Sequence, residues 1–137
     1  MRTVNGYFVE RLLGPFTMMT DAERVENSSV EPGDEREVRG VIRSLLKPYF
    51  LRFDSRSQEI VKDSLRYLLA TDYEHFEDLF EMSMPPFDPP PEQPRLFFVW
   101  LWEELFGPEG YELEEGEEYV VNHEIHAPNR IRLAPAE

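Results

Sequence analysis

The residues best suited to chemistry are the histidines, of which the chain has three. His123 and His126 stand three positions apart, a spacing that resembles a pair of metal ligands. On a strand, residues three positions apart point to opposite faces, so only a turn would bring both imidazoles together. With His75 or Glu104 as a third ligand they would form a zinc site. We therefore keep a small metal-dependent hydrolase that uses His75, His123 and His126 as an alternative, and predict no metal site.

The other chemical motifs point away from catalysis. The chain has no cysteine, which removes disulfides, thiolate metal sites and cysteine nucleophiles. It has no G-x-S-x-G nucleophile motif, and its seven glycines are isolated, so they form no phosphate-binding loop. The adjacent carboxylates Glu103 and Glu104 are the best candidates for a general acid, which would need a raised pKa. We expect no enzyme, no catalytic residue and no cofactor.

The charge of the chain is divided unevenly along its length. The sequence has 28 acidic and 14 basic residues, a net charge of −14. Residues 1–70 contain 11 of each sign, whereas residues 71–137 contain 17 acidic and 3 basic residues. Such a field repels nucleic acid and anionic membranes and speeds encounter with a basic protein. The sequence therefore predicts a basic protein partner and no nucleic acid or membrane, although a solvated acidic surface that keeps the protein soluble is the simpler alternative.

Helix caps and apolar stripes predict a mainly α, single-domain protein over residues 1–137. A first short helix is expected from Val4 to Leu12, ended by Gly14-Pro15, and a later helix is expected to end at Pro48. Four segments resemble helix N-termini, of which the first is a capping box. The expected cap signals begin at Thr20, Asp34, Ser55 and Thr71.

The segment from Arg95 to Phe106 is apolar nearly all round, which predicts the central helix of a compact bundle, ended by Gly107-Pro108. Before it, residues 84–94 contain six prolines in eleven residues. Such a segment is extended, and we predict a Pro-rich strap whose Phe87 packs onto the domain. The alternative is a ligand for the aromatic groove of a partner.

The end of the chain carries the β signal. Residues 119–126 alternate between two faces, which predicts a strand. A turn at Ala127-Pro128-Asn129 would let Ile131 and Leu133 pair back. We therefore predict a small C-terminal β hairpin or strand.

Two acidic surfaces are candidates for binding the partner: the helix expected over residues 72–81 and the acidic loop 111–118, which has five Glu. Acidic rim groups would set the association rate, and tyrosines exposed beside them would anchor the complex. The predicted partner-binding residues are Asp72, Tyr73, Glu74, Glu77, Asp78, Glu81, Tyr111, Glu112, Glu114, Glu115, Glu117 and Glu118.

In the acidic helix Asp72–Glu81, the apolar segment Phe97–Phe106 and the loop 111–118, the chain resembles small immunity proteins of bacterial toxin systems. The resemblance implies a cytoplasmic, non-enzymatic inhibitor that covers a basic, nuclease-like toxin domain. Immunity families do not share one fold, so no residue role is transferred. A DNA-mimic anti-defence protein of a phage is an alternative.

The longest apolar run, Leu96–Trp102, is too short to cross a membrane.

Overall fold

The structure, a computed structural model, describes residues 2–31, 33–71, 73–91, 93–124 and 131. It confirms a mainly helical single domain, to which a two-strand parallel sheet is added. In chain order the elements are β1 (Arg2–Val4), α1 (Gly6–Leu12), α2 (Gly14–Thr17), α3 (Asp21–Asn27), α4 (Glu35–Val41), a π-helical turn (Ile42–Leu46), α5 (Lys47–Leu51), α6 (Ser55–Ala70), α7 (Phe76–Met82), α8 (Arg95–Phe106) and β2 (Tyr119–Val121).

Helix α8 lies at the centre of the core, as its sequence predicts. Phe97, Phe98 and Leu101 have no exposed surface, and Trp102 is 1% exposed. The helix packs against α4, α6 and α7 on different sides, which is why its sequence is apolar nearly all round. It ends at Gly107, whose φ of +62° lies in the left-handed region that favours glycine.

Side-chain caps begin four of the helices, including α1, which is described with β1 below. Thr20 and Glu23 form the predicted capping box at α3, and the Asp34 carboxylate accepts from two backbone N–H groups at the start of α4. At α6 the cap lies one residue before the predicted Ser55, because the Asp54 carboxylate accepts from the backbone N–H of Ser57 at 2.8 Å.

The prediction that Pro48 ends a helix is wrong. The chain passes from α4 through the π-helical turn into α5, with Pro48 in the first turn of α5. Wider π-helical hydrogen bonding shifts the ladder before the proline, so its missing N–H falls at a new helix start. The first helix, α1, does end at Leu12 before Gly14-Pro15, as predicted, and a second short helix, α2, begins at Gly14.

Helix α7 begins later than its cap signal predicts. Residues 73–75 are not helical, and α7 starts at Phe76 without a side-chain cap. The Thr71 hydroxyl instead donates to the carbonyl of Tyr67 at 2.7 Å, so it closes the last turn of α6. Its predicted role as the cap of the next helix is therefore wrong.

The two strands join distant parts of the chain. Strand β2 begins at Tyr119, as predicted. It pairs in parallel with β1, with Arg2 opposite Tyr119. The pairing partner of β2 is thus the N-terminal segment, where Val4 was predicted to be helical. Leu133 and residues 127–129 of the predicted hairpin lie outside the described residues. Asn5 follows β1 and caps α1 by accepting from the Tyr7 backbone N–H.

The Pro-rich segment packs through Phe87, as expected of a strap. Phe87 is 7% exposed, and its ring lies 5.8 Å from that of Phe16 and 5.9 Å from that of Phe80. The contact with Phe16 is edge-on and the contact with Phe80 is tilted, and together they tie the segment to α2 and α7. Among the described residues, no helix has the length and apolar character needed to cross a membrane.

Truncating the central helix should destabilise the fold. We expect Leu101→Ala to lower the free energy of unfolding by about 2–5 kcal/mol, the usual cost of a buried leucine truncation. The matched control is Leu113→Ala, because Leu113 is 39% exposed, and it should cost less than about 0.5 kcal/mol. Urea denaturation of both variants measures the difference. Equal costs would show that α8 is not the core.

Candidate partner-binding surface and the adjacent pocket

Carboxylates of the second half neutralise basic side chains of the first half. This pairing brings together charges that the sequence places far apart, and it links α8 and the loop after it to β1, α4 and α6. The ion pairs between the halves are Arg2–Glu114, Arg2–Glu117, Arg39–Glu103, Arg39–Glu104, Arg43–Glu104, Lys62–Glu109, Arg66–Glu109 and Arg66–Glu114.

Arg66 lies at the centre of this pairing. It is 3% exposed, and its guanidinium carbon lies 5.5 Å from the centre of the Trp102 ring. It donates to Glu114 at 3.0 Å and to Glu109 at 3.2 Å. A buried charge needs such partners, because leaving it unpaired would be strongly destabilising. The Trp102 ring N–H donates to the Glu109 carbonyl at 2.6 Å, which holds the same loop.

Two predicted partner-binding residues therefore have internal roles. Glu114 binds Arg66 and also accepts from Arg2 at 2.5 Å, while Glu117 lies 3.7 Å from Arg2. Arg2 is further held by Asp63 at 2.6 Å. These contacts tether the acidic loop to β1 and α6.

The proposed general-acid pair Glu103 and Glu104 is also neutralised. Arg43 donates to Glu104 at 2.7 Å, and Arg39 donates to Glu103 at 2.8 Å. The hydrogen bond from Arg43, together with the charges of Arg43 and Arg39, lowers the pKa of Glu104 below its usual value. A general acid needs a raised pKa, so Glu104 does not fit this candidate role.

The carboxylates of α7 are different, because no Lys or Arg in the described ranges pairs with them. Glu77, Asp78 and Glu81 are exposed on the outer face of α7, and Glu74 is exposed just before it. The predicted inner face, Phe76, Leu79 and Phe80, is buried. The His75 imidazole lies 3.6 Å from the Asp78 carboxylate. Asp72 lies outside the described residues. We call Glu74, Glu77, Asp78 and Glu81 the acidic face.

The remaining predicted residues lie on the acidic loop. Glu112, Glu115 and Glu118 are exposed, and no ion pair to them occurs within the part of the chain that the structure describes. Tyr111 is only partly exposed. Its hydroxyl accepts from Arg95 at 3.2 Å, and its ring packs edge-on against Trp102. The expectation that Tyr111 is an exposed anchor is therefore wrong.

A cavity of about 500 Å³ opens beside the acidic face. It lies between α1, α6, α7 and β2, and three tyrosines line it: Tyr7, Tyr67 and Tyr73. Apolar side chains such as Leu68 and Met82 complete the wall. We call this cavity the tyrosine pocket. Its volume is typical of ligand sites.

Tyr73 lines both the tyrosine pocket and a second cavity. Its hydroxyl reaches α1, where a Cβ added to Gly6 would lie 3.7 Å from it. Burial raises the pKa of the Tyr73 hydroxyl, and the proximity of Asp78 and Tyr7 adds to this rise in pKa. The other side of Tyr73 lines a second cavity of about 400 Å³ together with Glu74. Tyr73 was expected to be exposed, and it is instead partly buried between two cavities.

The histidines considered as metal ligands are partly brought together. His75 and His123 both line the tyrosine pocket, with Asp78 at the same cavity, although they are 48 positions apart in the sequence. His126 lies outside the described residues. Within the ranges that are described, no group of three or more His, Asp or Glu is arranged to hold a metal ion.

Sequence analysis missed most of the pocket. Tyr7 and Tyr67 were not singled out as functional residues, because a single tyrosine on a helix forms no recognisable motif. The polar residues Asn5 and Ser64 also line the cavity, and the Ser64 hydroxyl accepts from the Asn5 backbone N–H at 3.1 Å. The clustering of tyrosines depends on tertiary packing and has no local sequence signal.

Comparison of the chain with known protein families, with characterised proteins and with solved structures finds no match. The protein is a small helical domain in which the buried Arg66 is paired with Glu109 and Glu114. The exposed face of α7 is acidic and has no Lys or Arg partner among the described residues. Functional inference therefore rests on the residues of this chain.

Stability should depend on pH through Glu104. Because the folded-state pKa of Glu104 is lowered, its ion pair stabilises the fold above the ordinary glutamate pKa of about 4.3 and is lost as pH falls through the lowered pKa. Glu104→Gln should therefore reduce the free energy of unfolding at neutral pH, and the difference from the unmodified protein should shrink in acid. Urea titrations across pH measure this difference. Glu112→Gln is the control, and an equal effect there would contradict the assignment.

Metal removal should not change stability. His75, His123 and Asp78 line one pocket, but no three such side chains among the described residues are arranged to hold a metal ion, as a zinc site requires. We expect the melting temperature to be the same before and after treatment with a chelator. Stoichiometric zinc in the purified protein, lost together with stability in the His123→Ala, His126→Ala double variant, would contradict this and favour the hydrolase.

Proposed function

We propose that this protein is a non-enzymatic binding protein that covers a basic protein partner with its acidic face. The observation that carries the proposal is the contrast between two sets of carboxylates. Those of α8 and the following loop are largely neutralised by Arg and Lys of the first half, whereas Glu74, Glu77, Asp78 and Glu81 have no such partner in the described residues.

The acidic face keeps like charges close together. Glu77 and Glu81 are four positions apart on α7, and Asp78 and Glu81 are three apart, so both pairs are neighbours that repel each other. The helix dipole offsets part of this repulsion at Glu77 and Asp78, which lie in the first turn. A cationic surface placed against α7 would remove the remaining repulsion.

The chemistry of the partner follows from this charge. A surface rich in Lys and Arg would be attracted over a distance at low ionic strength, and this attraction would speed association. The resemblance to immunity proteins of bacterial toxin systems agrees with such a partner, since their role is to cover a basic, nuclease-like toxin domain. In this proposal inhibition is steric and electrostatic, and the protein itself catalyses nothing.

Neutralising the acidic face should slow association. The test variant carries Glu74→Gln, Glu77→Gln, Asp78→Asn and Glu81→Gln. We expect its association rate with the partner to fall at least about tenfold at low salt. The effect should shrink at high salt, because the screening length falls to about 3 Å at 1 M. The partner is first obtained by capture from cells that naturally make this protein, and the rates are then measured by biolayer interferometry.

A matched control separates this surface from net charge. The control variant carries Glu26→Gln, Glu31→Gln, Glu59→Gln and Asp88→Asn, which are exposed acids on other segments without an ion pair among the described residues. It has the same total charge as the test variant and should associate at nearly the unmodified rate. Equal slowing of both variants would leave only a general charge effect. Capture of a nucleic-acid-binding enzyme that double-stranded DNA displaces would favour the DNA mimic.

A further inference from the structure

The tyrosine pocket is chemically suited to a cation with an apolar stem. Its walls combine the rings of Tyr7, Tyr67 and Tyr73 with aliphatic side chains, and the carboxylate of Asp78 stands at the same cavity. No Lys or Arg is among the described residues that line it, so an anion would meet no fixed positive charge there. A cation would meet aromatic rings and a carboxylate, which are the groups that stabilise organic cations in aqueous solution.

The polar groups of the pocket are also available. Within the described ranges, none of the three tyrosine hydroxyls makes a hydrogen bond to the protein. Tyr73 is held in place by its edge-on contact with Phe76, whose ring centre is 4.8 Å away, and its hydroxyl lies over Gly6. A guanidinium or ammonium group has several N–H donors, and phenol oxygens and a carboxylate are suitable acceptors for them.

The position of the pocket links it to the acidic face. Asp78 belongs to both, because it is exposed on α7 and also lines the cavity. A basic protein drawn to α7 would therefore place its arginine and lysine side chains beside the opening. A cavity of about 500 Å³ can enclose one such side chain with its aliphatic stem against Leu68, Leu79 and Met82.

We propose that the tyrosine pocket binds one long basic side chain, arginine or lysine, of the partner protein, with the aliphatic stem against the apolar wall and the charged end among the tyrosine rings and Asp78. The choice of a partner side chain as the occupant rests on the proposed function, whereas the cation preference of the pocket does not. The anchor would slow dissociation, while the acidic face sets the association rate.

Small probes of different charge test the pocket without the partner. The probes are n-butylguanidinium, n-hexanol and n-hexanoate, added to the full chain at pH 8, where ordinary imidazoles are neutral. Binding is followed by NMR through the methyl group of Met82, which lines the pocket, with the exposed Met18 methyl as an internal reference. We expect n-butylguanidinium to bind about tenfold more tightly than n-hexanol and n-hexanoate to bind most weakly.

Variants assign this preference to particular groups. Asp78→Asn should weaken n-butylguanidinium about fivefold or more and leave n-hexanol unchanged, while Glu112→Gln, with the same charge change outside the pocket, should affect neither. Tyr73→Leu should weaken the cation about threefold or more, whereas Tyr73→Phe, which keeps the ring, should retain most of the affinity. Circular dichroism establishes that each variant is folded.

Three results would overturn the proposal. Equal binding of n-hexanol and n-butylguanidinium would show an apolar site without charge preference. Tightest binding of n-hexanoate, with shifts at His75 and His123, would show an anion site. No binding of any probe would show that the cavity is not a site. Failure of the proposed function would be seen separately. In that case the acidic-face variant would associate with the partner at the unmodified rate, while n-butylguanidinium would still bind the unmodified protein.

Discussion

The buried charge of Arg66 is the constraint on which the arrangement of the acidic segments depends. A guanidinium that is 3% exposed needs carboxylates within hydrogen-bonding distance, and α6 itself supplies only Asp63, at 4.0 Å. Glu109 and Glu114 complete the set, so the chain after α8 must fold back along α6. The same fold-back leads to β2 and its pairing with β1. Charge compensation thus helps to bring β2 beside β1.

This compensation also decides which carboxylates remain for a partner. The second half has a net charge of −14, yet Glu103, Glu104, Glu109, Glu114 and Glu117 all lie against cations of the first half. Acids close to one another in sequence therefore have different roles, since Glu114 pairs with Arg2 and Arg66 whereas Glu115 has no ion pair among the described residues. The carboxylates of the acidic face have no Lys or Arg partner among the described residues, because the cations of the first half that form ion pairs lie beside α8 and the acidic loop.

Tyr73 of the tyrosine pocket lies in the connection between the end of α6 and the start of α7. The Thr71 hydroxyl donates to the Tyr67 carbonyl, residues 73–75 are not helical, and α7 begins at Phe76. The Tyr73 hydroxyl lies close to Gly6, where an added Cβ would be 3.7 Å from it, an ordinary van der Waals contact. Had α7 begun at Thr71, Tyr73 would follow the helix surface instead. Tyr73 thus lines two cavities, one of which it shares with Asp78.

The sequence by itself determined the local elements: the capping box at Thr20, the Asp34 cap, and α8 with its end at Gly107, because caps, apolar spacing and glycine act within a few residues. It also located the outer acids of α7. Only the tertiary structure decided that Pro48 continues a helix, that β2 pairs with the N-terminus, that Glu104 has a lowered pKa, and that three tyrosines share a cavity. These four features depend on residues many positions away in the sequence or on competition between alternative hydrogen bonds. A local sequence pattern encodes neither kind of information.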